Sequence, residues 1–155
     1  MTGLILIDLQ KSFDTIDHEI LLQKMINLQF SARSILWFKS YLTNRTLVNA
    51  DTSFSDPGKL KCRVLQGSIL GPLLFLLYVN DMPGAVNCEM LLYADDTCLV
   101  FQAKNLDTIP ERLNTDFNKL CHWFVDNKLS IHFGEDKTKS ILFTRKNRPK
   151  IVQYI

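Results

Sequence analysis

The chain has 155 residues, of which 46% are hydrophobic and 22% charged, as expected for one soluble globular domain with a substantial core. The formal net charge of +2 shows no overall basic excess. The four cysteines show neither CxxC pairs nor zinc-ligand spacing to histidine, and this pattern favours reduced thiols in an intracellular protein. The N-terminus lacks the pattern of a secretion signal, and the longest apolar run, residues 69–79, is shorter than the roughly 20 residues that cross a bilayer, so neither secretion nor membrane insertion is expected.

The chain is predicted to open with a strand and a helix. Residues 4–7 form a short apolar run typical of a strand buried on both faces, and Asp8 ends it. Residues 18–28 have the composition of a helix. Asp14 and Asp17 precede it, where a negative charge interacts favourably with the helix dipole, and this favours a structural role for both.

The middle of the chain is predicted to contain two more helices and a hairpin. Ser31 can cap a helix that continues to residue 42. Residues 46–64 alternate loosely around a Ser-Asp-Pro-Gly turn, which indicates a hairpin. Residues 68–82 are predicted to form a helix, with Pro72 tolerated only in its first turn.

The remaining elements are two hairpins separated by a helix. Residues 89–94 and 97–102 are apolar segments joined by Asp95-Asp96, which predicts a hairpin with two carboxylates at its tip. Residues 106–124 have apolar positions at helical spacing. Residues 129–133 and 140–144 are predicted strands around a turn. The element order predicts an α+β fold, with a mostly antiparallel sheet covered by helices on one face.

Three carboxylates are the strongest candidates for chemistry. Asp8 and the pair Asp95-Asp96 each follow an apolar strand, and two neighbouring strands would bring these ends together. Clustered carboxylate oxygens suit Mg²⁺, and a pair of such ions supports in-line phosphoryl transfer. The alternative is structural, because Asp is common in hairpin turns, where its side chain bonds backbone amides.

Four motifs carry a resemblance to a known family. They are LIDLQKSFDTIDHEIL at residues 6–21, QGSILGPLLFLLYVNDMP at 66–83, LLYADDTCLV at 91–100 and NKLSIHFGEDKTKSILF at 127–143. In this order they resemble the motifs of the reverse transcriptases of non-LTR retrotransposons, the LINE-type and jockey-like elements. The tetrad Tyr-Ala-Asp-Asp is similar to the signature tetrad of that family.

The resemblance implies a polymerase palm, a fold similar to that of RNA-recognition domains. It also implies an RNA-directed DNA polymerase that transfers dNTPs to a primer 3′-hydroxyl. The partners would be an RNA template, a DNA primer and dNTPs. The cofactors would be two Mg²⁺ ions, with Mn²⁺ as a substitute. Residues 1–155 would be a truncated palm domain with the fingers and thumb missing. The isolated chain is therefore expected to show little or no turnover, because substrate positioning supplies much of the rate.

The resemblance also implies roles for individual residues. Asp8 and Asp95 would bind both metals, with Asp96 as third carboxylate and the Leu9 carbonyl as a further ligand. Lys137 would protonate the departing pyrophosphate.

Three further residues would contact the nucleotide. Phe13 would form the steric gate beneath the sugar, while Gln66 and Gly67 would contact the incoming nucleotide or the template base pair.

Several assignments keep a structural alternative. An ordinary core aromatic is the alternative for Phe13, although the motif context favours the gate, and Lys137 is equally compatible with a surface lysine. Arg45 and the basic residues 139–150 could contact phosphates, which would make affinity salt-dependent, or be solvated surface charges. The histidines have no partner at metal or triad spacing and receive no role; they are His18, His122 and His132.

Two departures from the family pattern favour a competing hypothesis. Arg63-Val64-Leu65 stands where the family usually has Gly-Val-Pro, which changes the backbone path before Gln66, and Gln29 stands where a glycine is common. The chain could therefore be a catalytically silent remnant that at most binds nucleic acid, and such binding should persist in EDTA. An RNA-recognition module is a weaker alternative, because the aromatic-rich strand motif of that class is missing from the sequence.

Overall fold

The computed structural model describes residues 1–43, 68–134, 137–144 and 150–151. These residues divide into two compact units. The first contains Met1–Ser12 and Val79–Ile155, and the second contains Phe13–Tyr78. Among the described residues no helix is both long enough and apolar enough to pass through a membrane.

The first unit is built on one antiparallel sheet. Its strands are β1 (Thr2–Ile7), β2 (Glu89–Tyr93), β3 (Asp96–Gln102), β4 (Lys139–Phe143) and the short β5 (Lys150–Ile151), in the spatial order β2-β3-β1-β4-β5. Each neighbouring pair is antiparallel. With four α-helices in the described chain, the predicted α+β class and its antiparallel sheet are confirmed.

Strand β1 lies at the centre of the sheet and has two different faces. Ile5 and Ile7 are buried, whereas Leu6 between them is 38% exposed. This alternation follows from the two-residue period of a strand, which sends successive side chains to opposite faces. The run of apolar residues predicted to be buried on both faces is therefore covered on one face and open on the other.

Helix α4 (Thr108–Asp126) covers the buried face of the sheet. Its buried residues recur every three or four positions, which is the spacing that places them on one side of a helix. They are Ile109, Leu113, Asp116, Phe117, Leu120 and Phe124. Gly3 of β1 lets this helix approach closely, since a Cβ there would lie 2.3 Å from Ile109 Cγ2 and 2.7 Å from Leu113 Cδ1.

Two predicted elements differ in the structure. The predicted helix over residues 68–82 is α3 (Gly71–Val79) followed by a separate 3-10 helix, Met82–Ala85. The predicted strand at residues 129–133 is wrong, because that segment makes only a single bridge, between Ile131 and Leu9. The chain turns at Gln10 directly after this bridge, so no further residues are available for pairing.

The second unit contains α1 (His18–Asn27), α2 (Ala32–Thr43) and all but the last residue of α3. Asp17 caps α1 by accepting from the N–H groups of Glu19 (2.9 Å) and Ile20 (3.1 Å), which confirms its structural interpretation. Ser31 Oγ accepts from Ser34 N–H at 3.2 Å at the start of α2, as predicted. The predicted hairpin at residues 46–64 lies outside the described residues.

The end of α1 explains why a glycine suits position 29. Gln29 has a φ of 61°, in the left-handed region that favours glycine. Its N–H donates to Ile26 O (2.9 Å) and that of Phe30 donates to Met25 O (3.1 Å), the paired bonds of a Schellman cap. Gln29 therefore adopts the backbone conformation of the expected glycine and satisfies the same helix end.

Candidate active site

Asp8 is held by its backbone at the end of β1. His132 N–H donates to the Asp8 carbonyl at 2.8 Å, and Gln10 N–H donates to the Ser130 carbonyl at the same distance. Asp8 N–H donates to Thr138 Oγ1 at 3.4 Å. These bonds fix the point at which the strand ends and the backbone position from which the Asp8 side chain extends.

Asp95 and Asp96 lie at the end of the β2-β3 hairpin. Tyr93 pairs with Asp96, so the connecting turn consists of Ala94 and Asp95 alone. Ala94 adopts a φ of 54°, as positions in tight hairpin turns often require. The prediction of two carboxylates in the tip is therefore wrong for Asp96, which is the first residue of β3, and correct for Asp95.

The register of the sheet brings Asp8 and Asp96 together. Ile7 pairs with Thr97, so one step further along the two antiparallel strands Asp8 lies opposite Asp96. Opposite residues in an antiparallel pair direct their side chains to the same face. This face is the open one, because Thr97 and Leu99 are buried on the other side of β3.

A groove of about 460 Å³ runs along this open face. Three charged residues, Asp8, Asp96 and Lys137, line it together with side chains from β1, β2 and β3. The other lining residues are Leu6, Ile7, Leu91, Leu92, Tyr93, Thr97 and Cys98. Asp95 lies in the adjoining turn. The structure thus gathers three of the four charged residues selected from sequence.

Two cationic or hydrogen-bonding side chains contact the Asp8 carboxylate. Lys137 Nζ lies 3.3 Å from Asp8 Oδ2, and His132 Nδ1 lies 3.2 Å from the same oxygen. The Asp8 side chain is 30% exposed, so these contacts leave it accessible from the groove. His132 was missed from sequence because no ligand spacing marks it. Only the bridge between Leu9 and Ile131 brings it beside Asp8.

The donor set suits a hard divalent cation. Asp8 and Asp96 offer carboxylate oxygens on one face, the ligand type that Mg²⁺ and Mn²⁺ prefer. The bridge bonds are made by the residues flanking Leu9, so the carbonyl of Leu9 is directed away from residues 130–132. Within the described ranges no three His, Cys, Asp or Glu side chains form a ready ligand cluster, and the contribution of Asp95 stays a prediction.

The predicted nucleotide contacts fall elsewhere in the chain. Phe13 is half-buried in the second unit, where its ring centroid lies 5.0 Å from that of Phe75. Gln66, Gly67 and Arg45 lie outside the described residues, as do the side chains of most of the basic tail. Their assigned roles therefore stay predictions.

Another carboxylate of the first unit, Asp116, is arranged quite differently. Its side chain accepts from Asn87 N–H (2.9 Å), Cys88 N–H (2.6 Å) and Lys119 Nζ (2.7 Å). Burial alone would raise the pKa of Asp116, but these hydrogen bonds outweigh it and lower the pKa from 3.8 to about 2. Asp116 anchors the loop before β2 to α4, a structural role that the sequence did not indicate.

The described cysteines near these carboxylates are not activated. Burial raises the pKa of Cys98, which lines the groove. Burial, together with the neighbouring Asp116, raises the pKa of Cys88 to about 12. Both thiols stay protonated near neutral pH, so neither supplies a nucleophile.

Comparison with known proteins gives consistent relatives. A family model described as reverse transcriptase (RNA-dependent DNA polymerase) matches residues 1–154. The chain is 30% identical over 149 residues to the RNA-directed DNA polymerase from mobile element jockey of Drosophila melanogaster, covering 90% of this chain and 16% of that protein. It is 29% identical over 155 residues to the probable RNA-directed DNA polymerase from transposon X-element of the same organism, covering 96% of this chain and 17% of that protein.

A third relative extends the pattern. The chain is 31% identical over 128 residues to the probable RNA-directed DNA polymerase from transposon BS of Drosophila melanogaster, covering 77% of this chain. The chain spans between 14% and 17% of the length of these three curated relatives.

Proposed function

Because the chain belongs to the reverse transcriptase (RNA-dependent DNA polymerase) family, we propose that it forms the palm of an RNA-directed DNA polymerase encoded by a non-LTR retrotransposon. The polypeptide containing it would extend a DNA primer with dNTPs on an RNA template. The observation that carries this proposal is the groove lined by both Asp8, which directly follows β1, and Asp96, the first residue of β3. These residues are far apart in sequence and neighbours in the sheet, as a shared metal site requires.

The carboxylates supply the charge that the reaction needs. Asp8, Asp96 and, from the adjoining turn, Asp95 would hold two Mg²⁺ ions with the Leu9 carbonyl. When bound, such ions lower the pKa of the attacking 3′-hydroxyl and neutralise charge on the pyrophosphate. The primer end would bind on the open face of the sheet beside Asp8, whose carboxylate is only partly covered.

Lys137, which lines the same groove, is the candidate proton donor. Its ammonium group lies 3.3 Å from Asp8 Oδ2 and its side chain is 48% exposed, so it balances the carboxylate charge and stays accessible to a phosphate. We assign its Nζ as the donor of the proton that the departing pyrophosphate takes up. Phe13 would exclude a ribonucleotide 2′-hydroxyl, and Gln66 and Gly67 would contact the nucleotide.

Primer extension on poly(rA)/oligo(dT) tests the proposal. The assay should use a polypeptide of the relatives' length that contains this chain, with Asp95→Asn as the variant and Asp126→Asn, an exposed carboxylate of α4, as the control. We expect Mg²⁺-dependent synthesis in the parent and the control and its loss in Asp95→Asn. Equal synthesis by the parent and Asp95→Asn would contradict the proposal.

The competing hypothesis of a silent remnant gives a different result in the same assay. A remnant would show no synthesis in any variant, yet its affinity for a primer-template would be unchanged by EDTA. Polymerisation, in contrast, should stop in EDTA and return when Mg²⁺ is added in excess.

A further inference from the structure

The side chain of His132 contacts the carboxylate around which the candidate site is built. Its Nδ1 lies 3.2 Å from Asp8 Oδ2, within hydrogen-bonding distance. We propose that His132 is a positioning residue that orients the Asp8 carboxylate for divalent-cation binding. The inference rests on the proposed function, because it takes Asp8 to be a metal ligand.

His132 is fixed to Asp8 through its backbone as well as its side chain. Its N–H donates to the Asp8 carbonyl at 2.8 Å. Its own carbonyl accepts from Thr138 Oγ1 at 3.0 Å, and Thr138 Oγ1 in turn accepts from Asp8 N–H at 3.4 Å. Thr138, which takes part in two of these hydrogen bonds, is buried. The backbone from which the imidazole extends is therefore fixed beside Asp8.

The contact leaves one carboxylate oxygen for another ligand. Both His132 Nδ1 and Lys137 Nζ engage Oδ2, and neither contact involves Oδ1. A carboxylate with one oxygen held by a donor is limited in rotation and presents its second oxygen in a defined direction. Because Asp8 is 30% exposed and lines the groove, that direction is accessible to an ion.

The chemistry of the imidazole favours positioning over direct coordination. Mg²⁺ strongly prefers oxygen ligands, whereas imidazole suits Zn²⁺ and other transition metals. A histidine nitrogen bonded to a coordinating carboxylate orients that ligand in much the same way that carboxylates orient metal-bound histidines. His132 would then influence affinity for the metal without touching it.

The test is Mn²⁺ binding by the 155-residue chain, measured by electron paramagnetic resonance of the free ion. His132→Leu removes the donor, whereas His132→Asn retains it, because the amide nitrogen of Asn and the Nδ1 of His are both attached to Cγ. We expect His132→Leu to weaken Mn²⁺ affinity by about tenfold or more, the usual effect of removing such a supporting group. The Mn²⁺ affinity of His132→Asn should stay within about threefold of that of the parent, because this variant retains the donor. His122→Leu, at an exposed position on α4, is the matched control and should change nothing.

The outcomes separate this inference from the proposed function. Asp8→Asn is measured in parallel and should reduce binding whether or not His132 has a role. If His132→Leu binds Mn²⁺ like the parent, or more tightly, while Asp8→Asn binds poorly, the positioning role is wrong and the metal site stands. If Asp8→Asn itself binds like the parent, Asp8 is not a ligand and both proposals fail.

Discussion

The two faces of the central strand β1 perform different tasks. On one face Gly3, Ile5 and Ile7 are buried, and Gly3 lies directly against α4. On the other face, Leu6 and Asp8 line an open groove. The covered face contributes to stability through buried apolar area, whereas the open face leaves polar oxygens accessible to a ligand. The two-residue period of the strand therefore places the residues that stabilise the fold on one face and the residues accessible to a ligand on the other.

Two aspartates of the first unit show the same difference. Asp116 has 4% of its side chain exposed, and its oxygens are used by Lys119 and two backbone N–H groups. The Asp8 side chain is 30% exposed, and its contacts are with the partly exposed side chains of His132 and Lys137. An aspartate whose oxygens are fully used by the protein is structural, while one with an accessible oxygen beside a groove is a candidate for binding.

The largest expected effect is on activity, at the open face. Asp8→Asn or Asp96→Asn should lower kcat by about 10³-fold in a polypeptide of the relatives' length, on the order of 4 kcal/mol of transition-state stabilisation. Steady-state primer extension measures this. The melting temperature of the 155-residue chain should change little, because neither side chain is buried. A large loss of stability with unchanged kcat would contradict the difference between the two faces, because it would show that the open face contributes to stability and not to activity.

The next effect is on stability, at the covered face. Gly3→Ala should reduce the free energy of unfolding by about 2 kcal/mol, because the new Cβ would overlap side-chain atoms of Ile109 and Leu113. Gly84→Ala is the matched control, since a Cβ there meets nothing within 4 Å. Urea unfolding measures both. Equal stability of the two variants would show that α4 does not pack closely on β1.

Asp116→Asn should lower the free energy of unfolding at pH 7 by about 2 kcal/mol, about as much as Gly3→Ala. The reason is that the amide cannot accept all the hydrogen bonds that the carboxylate receives. Asp126→Asn, at an exposed position on the same helix, should leave stability unchanged. Mn²⁺ affinity should be the same in both variants. If Asp116→Asn lost metal binding while remaining folded, the distinction between the two aspartates would be wrong.

The smallest expected effect is the pH dependence of the contribution that Asp116 makes to the free energy of unfolding. The pKa of Asp116 is lowered from 3.8 to about 2 in the folded chain, so its ionised form stabilises the fold fully above about pH 4. This stability is lost as the pH falls through about 2. The difference in unfolding free energy between the parent and Asp116→Asn should therefore narrow over that window. A constant difference from pH 5 to pH 2 would contradict the assignment.

Much of the fold was predictable from sequence, because its elements carry local signals. The caps at Asp17 and Ser31, the helical spacing of α4 and the β2-β3 hairpin all depend on neighbouring residues. The predicted strand at 129–133 failed because pairing depends on how far the partner chain continues after Leu9, which is not a local property.

The candidate site was predictable only in part. The family motifs pointed to Asp8, Asp96 and Lys137, which line one groove. The contacts of His132 and Asp116 could not be predicted from sequence, for a common physical reason. Their partners are distant in sequence, so their surroundings depend on sheet register and helix packing rather than on spacing.

A divalent cation is expected to bind between Asp8 and Asp96. Paramagnetic broadening of amide NMR signals by Mn²⁺ shows where on the chain the ion binds. Titration of Mn²⁺ into the 155-residue chain should first broaden the signals of residues lining the groove, such as Leu6, Asp96 and Cys98. The Asp8→Asn/Asp96→Asn double variant should lose this broadening. Broadening centred on Asp116, or unchanged broadening of the groove signals in the double variant, would contradict the account.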